Sequence, residues 1–141
     1  MEKMHVEMES RSCNEQFARV VVAVFLARLD PTVEELEDVK TAVSEAVTNC
    51  IIHGYEGREG IIRVEVEVEE QTATIRVRDR GVGIRDIGQA MEPMYTSKPG
   101  EDRSGMGFAF MEAFMDELQV TSVPGEGTVV TMKKIIGKAE C

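Results

Sequence analysis

The sequence has few cysteines, no tryptophan, and too few basic residues to balance its acidic ones. Only three cysteines occur in 141 residues, far apart, so neither a disulfide framework nor a metal-ligand cluster is indicated and we expect free thiols. There are 16 basic residues against 26 acidic ones, which gives a formal net charge of −10. A surface that follows the phosphates of DNA or RNA needs a dense basic stripe, so no direct binding to nucleic acid is expected.

Long hydrophobic runs and targeting signals are also lacking. The longest apolar run covers residues 20–27, well short of the roughly 20 residues that cross a bilayer. The first residues are acidic and polar, without the apolar centre of a secretory signal. We therefore expect a cytoplasmic protein without a membrane segment, folded as a single domain over residues 1–141.

The first third of the chain predicts a strand and two helices. Residues 3–10 alternate weakly, and Asn14 is predicted to cap a helix that runs to about Leu29. Thr32 and Glu35 have the spacing of a capping box, which predicts a second helix that ends near Ile52. The inward residues expected on the first helix are Phe17, Val20, Val21, Val24, Phe25 and Leu29, and those on the second are Leu36, Val39, Val43, Val47 and Cys50.

The rest of the chain predicts a largely antiparallel sheet. Alternating apolar and charged residues indicate a hairpin, and later turn signals separate one more helix from two last strands. The predicted elements are strands over 61–68 and 73–77, a mobile loop over 93–104, a helix over 106–116, and strands over 118–122 and 127–135. This order predicts an α+β two-layer sandwich, a mostly antiparallel mixed sheet with helices on one face.

One polar face of the second helix is a candidate for chemistry. Glu45, Asn49 and His53 are each four residues apart, so they share a face roughly 100 degrees from the apolar stripe. Such a face is most often simply solvated. The alternative is a metal and base site, because the Asn49 amide oxygen suits Mg²⁺ that is already bound to phosphates and Glu45 can accept a proton from a hydroxyl.

A glycine-rich turn follows the predicted hairpin. Asp79 can accept a hydrogen bond from the amino group of adenine, whereas guanine presents a carbonyl there, so this carboxylate would select adenine. Gly81 and Gly83 would let the backbone approach a ligand closely. Asp and Gly are also the commonest turn residues, so the pattern fits a plain turn equally well.

A second glycine-rich stretch, 103–108, begins the third predicted helix. Its backbone amides and the positive end of the helix dipole can hold phosphate, and Lys98 and Arg103 could reach terminal phosphates. The Walker pattern is absent, and a lone glycine pair is more often structural. Simple exposure to solvent explains Lys98 and Arg103 equally well, because Lys and Arg side chains are commonly exposed.

The order of these three segments resembles the ATPase domain shared by DNA gyrase, MutL, the heat-shock chaperone and histidine kinases, which has the Bergerat-type ATP-binding fold. The stretch 45–49 is similar to the N box of that superfamily, 79–83 to its first glycine box and 105–107 to its second. Within it, the segments SEAVTNCIIHGY, PMYTSKPGEDRSGMGF and NEQFARV closely resemble the anti-sigma factors of spore-forming bacteria that are also serine kinases.

This resemblance implies a homodimeric kinase that uses ATP and Mg²⁺. Such a protein holds a sporulation sigma factor inactive and phosphorylates a small anti-anti-sigma protein on serine. By position, Glu45 would be the base, Asn49 the Mg²⁺ ligand and Asp79 the adenine-binding residue. Arg19 would contact both protein partners. The remaining residues implied to bind nucleotide are His53, Gly81, Gly83, Lys98, Arg103, Ser104, Gly105, Met106, Gly107, Phe108 and Thr128.

Other functions are open at this point. The sequence offers no separate helical domain with a phosphoacceptor histidine, and it has no room for the second domain of the gyrase or MutL enzymes. A nucleotide-gated binding module would use ATP to order residues 93–104 and would transfer no phosphate. An interaction protein with an inactive pocket would gain no stability from Mg-ATP.

Overall fold

In the computed structural model of the chain, the described residues are 1–92 and 107–137. They form five strands and four helices in one α+β arrangement. A 3₁₀ turn, Ala27–Leu29, follows α1, and a π-helix, Cys50–Gly54, follows α2. The elements are β1 Glu2–Glu9, α1 Cys13–Leu26, α2 Val33–Asn49, β2 Ile61–Glu69, β3 Thr72–Asp79, α3 Ile87–Ala90, α4 Gly107–Phe114, β4 Glu117–Val123 and β5 Gly127–Ile135.

The strands form one sheet in the order β1-β2-β3-β5-β4, and every pair is antiparallel. The predicted fold class is therefore confirmed, without the parallel pair that a mixed sheet would contain. Antiparallel pairing of β3 with β5 sets Asp79, the last residue of β3, opposite Thr128 at the start of β5. The register of the β3–β5 pair thus brings two predicted site residues together.

Alternation along the strands gives the sheet two different faces. The inner face is apolar and buried under the helices, with Val64, Ile75 and Met132 fully buried. On the outer face, ion pairs cross the strands, such as Arg63 with Glu7 and Arg76 with Glu67. One face of the sheet therefore forms part of the core, and the other carries solvated ion pairs, as expected for an antiparallel sheet covered on one side.

The predicted inward face of α1 is wrong. The buried residues are Ala18, Val22 and Leu26, whereas Val24 is 69% exposed. Phe17 and Val20 are also exposed, Val21 and Phe25 are half-buried, and only Leu29 of the predicted set is buried. Nearly every residue from 17 to 26 is apolar, so periodicity alone cannot choose the face. The buried face is instead set by the packing of α1 against α2.

The start of α1 also differs from the prediction. Ser12 occupies the N-cap position without a capping hydrogen bond from its side chain. Asn14 lies inside the helix, and its side-chain amide donates to the backbone carbonyl of Glu9 at 2.8 Å. The Asn14 side chain therefore links α1 to the end of β1 by a hydrogen bond instead of capping the helix.

The predicted stripe of α2 is largely confirmed, since Val39, Val43, Val47 and Cys50 are buried and Leu36 is half-buried. No helix in the described part of the chain is long and apolar enough to cross a membrane.

The capping box of α2 also anchors the end of β5. The Thr32 hydroxyl accepts from the Glu35 N–H at 3.0 Å, and the Glu35 carboxylate accepts from the Thr32 N–H at 2.9 Å. Glu35 also accepts from the Gly137 N–H at 3.1 Å. These hydrogen bonds, led by that from the Thr32 backbone, lower the pKa of Glu35.

We expect Glu35→Ala to destabilise the protein by about 1 to 2 kcal/mol, because two backbone N–H groups lose a charged acceptor. A lowered carboxyl pKa stabilises the fold above the pKa of the unfolded chain, so this difference should shrink as the pH falls through the pKa of folded Glu35. Urea unfolding at pH 7 and at acidic pH measures it. Glu34→Ala, on the exposed side of the same turn, is the matched control, and equal losses for both variants would contradict the role of Glu35.

Candidate functional site

A cavity of about 430 Å³ lies between α2, α4 and the adjoining ends of β3 and β5. Its walls come from parts of the chain that are far apart in sequence. Of the ten predicted site residues in the described part of the chain, seven line it, and Glu45, Gly81 and Arg19 do not. Those that line it are Asn49, His53, Asp79, Gly83, Gly107, Phe108 and Thr128.

At one end of the cavity, Asp79 is held in a fixed position by its surroundings. Only 6% of this residue is exposed. Its Oδ1 accepts from the Gly81 N–H at 2.9 Å, and its carboxylate also accepts from the Thr128 N–H and the Cys50 thiol. Burial raises the pKa of Asp79, and these three donors oppose that rise. The result is a desolvated carboxylate that faces a cavity.

Two glycines let the backbone close around Asp79. A Cβ on Gly54 would lie 2.7 Å from the Asp79 Oδ2, and a Cβ on Gly81 would lie 2.0 Å from the Gly54 carbonyl oxygen. The same carbonyl accepts from the Val82 N–H at 2.9 Å. Gly54, the last residue of the π-helix, is therefore a packing contact for Asp79.

At the other end of the cavity, α4 begins against the polar face of α2. A Cβ on Gly107 would lie 3.2 Å from both side-chain heteroatoms of Asn49 and 3.4 Å from the Glu45 Oε2. Glu45 and Asn49 are both half-buried. About 13 Å of helix, at 1.5 Å per residue, separates Glu45 from Gly54. Asn49 therefore lines the cavity near the start of α4, where the Glu45 carboxylate adjoins it without lining it, and the buried Asp79 lines the cavity at the end of β3.

Several predicted residues stand apart from this cavity or from the described part of the chain. Lys98, Arg103, Ser104, Gly105 and Met106 lie outside the described residues, as does the loop predicted over 93–104. Arg19 lies on α1, where it pairs with Glu15 at 3.4 Å.

Sequence reasoning missed two residues that position this site. The Ser122 hydroxyl accepts from the Ile84 N–H at 2.7 Å, donates to the Gly127 carbonyl at 3.0 Å and lies 2.8 Å from the Thr128 hydroxyl. The Tyr55 hydroxyl accepts from the Arg80 N–H at 2.8 Å and donates to the Ile61 carbonyl at 2.5 Å. Both link turns that are distant in sequence, and no local motif marks them.

Comparison with known proteins identifies the family of this chain. Residues 10–134 match the histidine kinase-like ATPase domain family. The anti-sigma F factor of Clostridium beijerinckii is 61% identical, over 94% of this chain and 93% of the relative. That of Clostridium novyi is 58% identical over 98% and 97% of the two chains. That of a Thermoanaerobacter species is 57% identical over 95% and 94%.

Solved structures support the fold. A Mycobacterium tuberculosis protein with RsbU and RsbW domains superposes with a TM-score of 0.68 at 20% identity, over 96% of this chain and 32% of that one. The catalytic domain of the histidine kinase ThkA superposes with a TM-score of 0.58 at 14% identity, over 96% and 97% of the two chains. Taken with the sequence relatives, these matches place the chain in the anti-sigma F factor family of histidine kinase-like ATPase domains.

Proposed function

We propose that this chain is an ATP-dependent serine kinase that also holds a sporulation sigma factor inactive, and that its substrate is a small anti-anti-sigma protein. The observation that carries the proposal is one cavity lined by Asp79 at one end and by Asn49 near the start of α4, where Glu45 adjoins it. Such a cavity suits a nucleotide whose base and phosphates need different partners. We expect the protein to act in the cytoplasm, and the free thiols of Cys13 and Cys50 fit a reducing compartment.

The base of the nucleotide would lie at the Asp79 end. A buried carboxylate such as that of Asp79 can accept a hydrogen bond from the exocyclic amino group of adenine, whereas the guanine carbonyl would meet it unfavourably. Thr128 is 7% exposed and lines the same end of the cavity. Its hydroxyl, held by Ser122, would complete the polar contacts to the base.

The phosphates would lie at the start of α4. Gly107 lets the backbone amides of this helix start come close to Asn49 and Glu45. In the part of the chain that the structure describes, no group of three His, Cys, Asp or Glu residues could hold a metal ion alone. The Asn49 amide oxygen fits Mg²⁺ that takes most of its ligands from phosphates, and the bound ion would neutralise phosphate charge.

In the proposed reaction, the substrate serine replaces water as the nucleophile. Glu45 accepts the proton of the serine hydroxyl while its oxygen forms a bond to the γ-phosphorus. The bond from the γ-phosphorus to the bridging oxygen breaks, and ADP leaves with the electron pair. Asp79 holds the base throughout and takes no part in proton transfer.

Intact-mass analysis of the small anti-anti-sigma protein from the same genome tests this proposal, with this chain and Mg-ATP present. We expect one added phosphate, located on serine by fragmentation. Complex formation that depends on ATP but leaves the mass unchanged would favour the nucleotide-gated binding module instead.

The Asp79 carboxylate gives nucleotide binding a predicted pH dependence. Cys50 and Tyr55 adjoin Asp79, and burial raises the pKa of both groups, so both stay neutral as the pH is lowered. Burial also raises the pKa of Asp79, so its protonation should begin above the ordinary aspartate range. Protonation replaces an acceptor with a donor, so the preference for ATP over purine riboside triphosphate, which lacks the amino group, should fall as the pH drops through that pKa.

Titration calorimetry with both nucleotides measures this preference. Both carry the same triphosphate, so protonation of the phosphates affects both affinities equally and cancels from their ratio. A preference that stays constant down to pH 4 would contradict the assignment of Asp79.

We also propose a homodimer formed through α1, and partner contacts that include Arg19. Phe17, Val20 and Val24 are exposed by 49%, 47% and 69% and share one helix face. If this face joins two copies, Val24→Asp should weaken the dimer by at least about tenfold, because a charge would be buried without a partner. Light scattering across a concentration series measures this. Val33→Asp, at an 80% exposed position on α2, is the control, and equal behaviour of both variants would contradict an interface at α1.

A further inference from the structure

The described residues contain one buried polar side chain beside the candidate site to which the proposed function gives no role. Cys50 is 3% exposed, lines the cavity, and begins the π-helix that extends α2. In that turn the Tyr55 N–H donates to the Cys50 carbonyl at 2.8 Å. The π-helix leads from Cys50 to Gly54, so both residues meet Asp79 from the same side.

The Cys50 side chain and the Asp79 carboxylate line the same cavity, and a hydrogen bond from the thiol opposes the rise in the pKa of Asp79. Two backbone donors complete the set, the Gly81 N–H from the turn after β3 and the Thr128 N–H from β5. A carboxylate offers about four acceptor positions. Three protein donors from three segments therefore leave about one position for a donor on the ligand.

We propose that Cys50 is a positioning residue that sets how strongly this site selects a base with an exocyclic amino group. The inference rests on the proposed role of Asp79 as the adenine-binding residue. Without the thiol donor, the Asp79 carboxylate would have a second open acceptor position. This position lies beside Gly54, which has no side chain to stop the carboxylate from shifting. Water could then satisfy the carboxylate, and the ligand's amino group would matter less.

The test compares affinities for ATP and for purine riboside triphosphate, which differ only in the amino group. For the unaltered protein we expect ATP to bind about 10- to 100-fold more tightly. Cys50→Val fills the space without a donor and should reduce this ratio about three- to tenfold. Cys50→Ser keeps a donor and should restore most of it. Cys13→Ala, at an exposed thiol, should leave the ratio unchanged.

The two ideas fail in different ways. A ratio near one in the unaltered protein would overturn the adenine role of Asp79, and the inference with it. A clear ratio in the unaltered protein that Cys50→Val preserves would overturn the role of Cys50 alone. A variant that lost only packing would melt at a lower temperature with the ratio intact, which is again the overturning result.

A measurement on the unaltered thiol covers the case in which Cys50→Val fails to fold. The S–H stretch of Cys50 can be isolated as the infrared difference between the unaltered protein and Cys50→Ser. A thiol that donates to a carboxylate absorbs at lower frequency than a free thiol, and Asp79→Asn should move the band upward. A band at the free-thiol position that Asp79→Asn leaves in place would overturn the proposal.

Discussion

Glu45→Gln is expected to abolish serine phosphorylation while ATP still binds. Glutamine keeps the size and hydrogen-bonding capacity of the side chain but cannot accept the serine proton. General-base catalysis typically contributes about 100- to 10,000-fold, so the transfer rate should fall by that factor. Glu45 adjoins the start of α4, well away from Asp79, so the affinity for ATP should change little. Single-turnover transfer and titration calorimetry measure the two quantities separately.

Glu37→Gln is the matched control for this variant. It makes the same change on the same helix, at a side chain that is 62% exposed and paired only with Lys40 in the described contacts. We expect its transfer rate to be unchanged. If Glu45→Gln transferred phosphate at the normal rate, Glu45 would not be the base, and another group would have to accept the serine proton.

Gly81→Ala adds only a methyl group, but we expect it to disrupt the nucleotide site. The new Cβ would lie 2.0 Å from the Gly54 carbonyl oxygen and 2.4 Å from its carbon, and both are backbone atoms. Relief of this clash must move the turn that donates to Asp79 or the end of the π-helix. Overpacking of this kind costs about 1 to 3 kcal/mol, and we expect ATP affinity to fall at least about tenfold.

Gly88→Ala separates this effect from the general cost of replacing a glycine. Gly88 lies in α3, and its added Cβ would come no closer than 3.4 Å to the Asp86 side chain, which is near ordinary contact. This variant should bind ATP normally. Thermal unfolding and calorimetry of both variants test the contrast, and normal binding by Gly81→Ala would show that the close approach to Gly54 is unnecessary.

The sequence predicted those parts of the fold in which local pattern and tertiary environment agree. Charged residues mark one side of α2 and of each hairpin strand, so their apolar faces were identified correctly, and alternation predicted the hairpin. The same pattern predicted that Glu45 and Asn49 share a polar face of α2, and both lie near Gly107 in the structure.

Local pattern could not predict features that depend on fit between distant segments. α1 is apolar on nearly every side, so its pattern does not single out the face of Ala18, Val22 and Leu26 that the fold buries. Cys50 looked like one more member of an apolar stripe. Its contact with Asp79 depends on a π-helix turn and on Gly54, neither of which has a sequence signature. Ser122 and Tyr55 likewise join turns that are brought together only by the complete sheet.

The central claim is that one cavity holds both ends of a nucleotide, with the base at Asp79 and the phosphates beside Asn49 and the start of α4. A crystal structure with Mg²⁺ and a non-hydrolysable ATP analogue tests it most directly. We predict that the adenine amino group lies within hydrogen-bonding distance of the Asp79 carboxylate and that the Asn49 amide oxygen is a ligand of Mg²⁺. A nucleotide bound outside this cavity, or one with its base beside Glu45, would contradict the account.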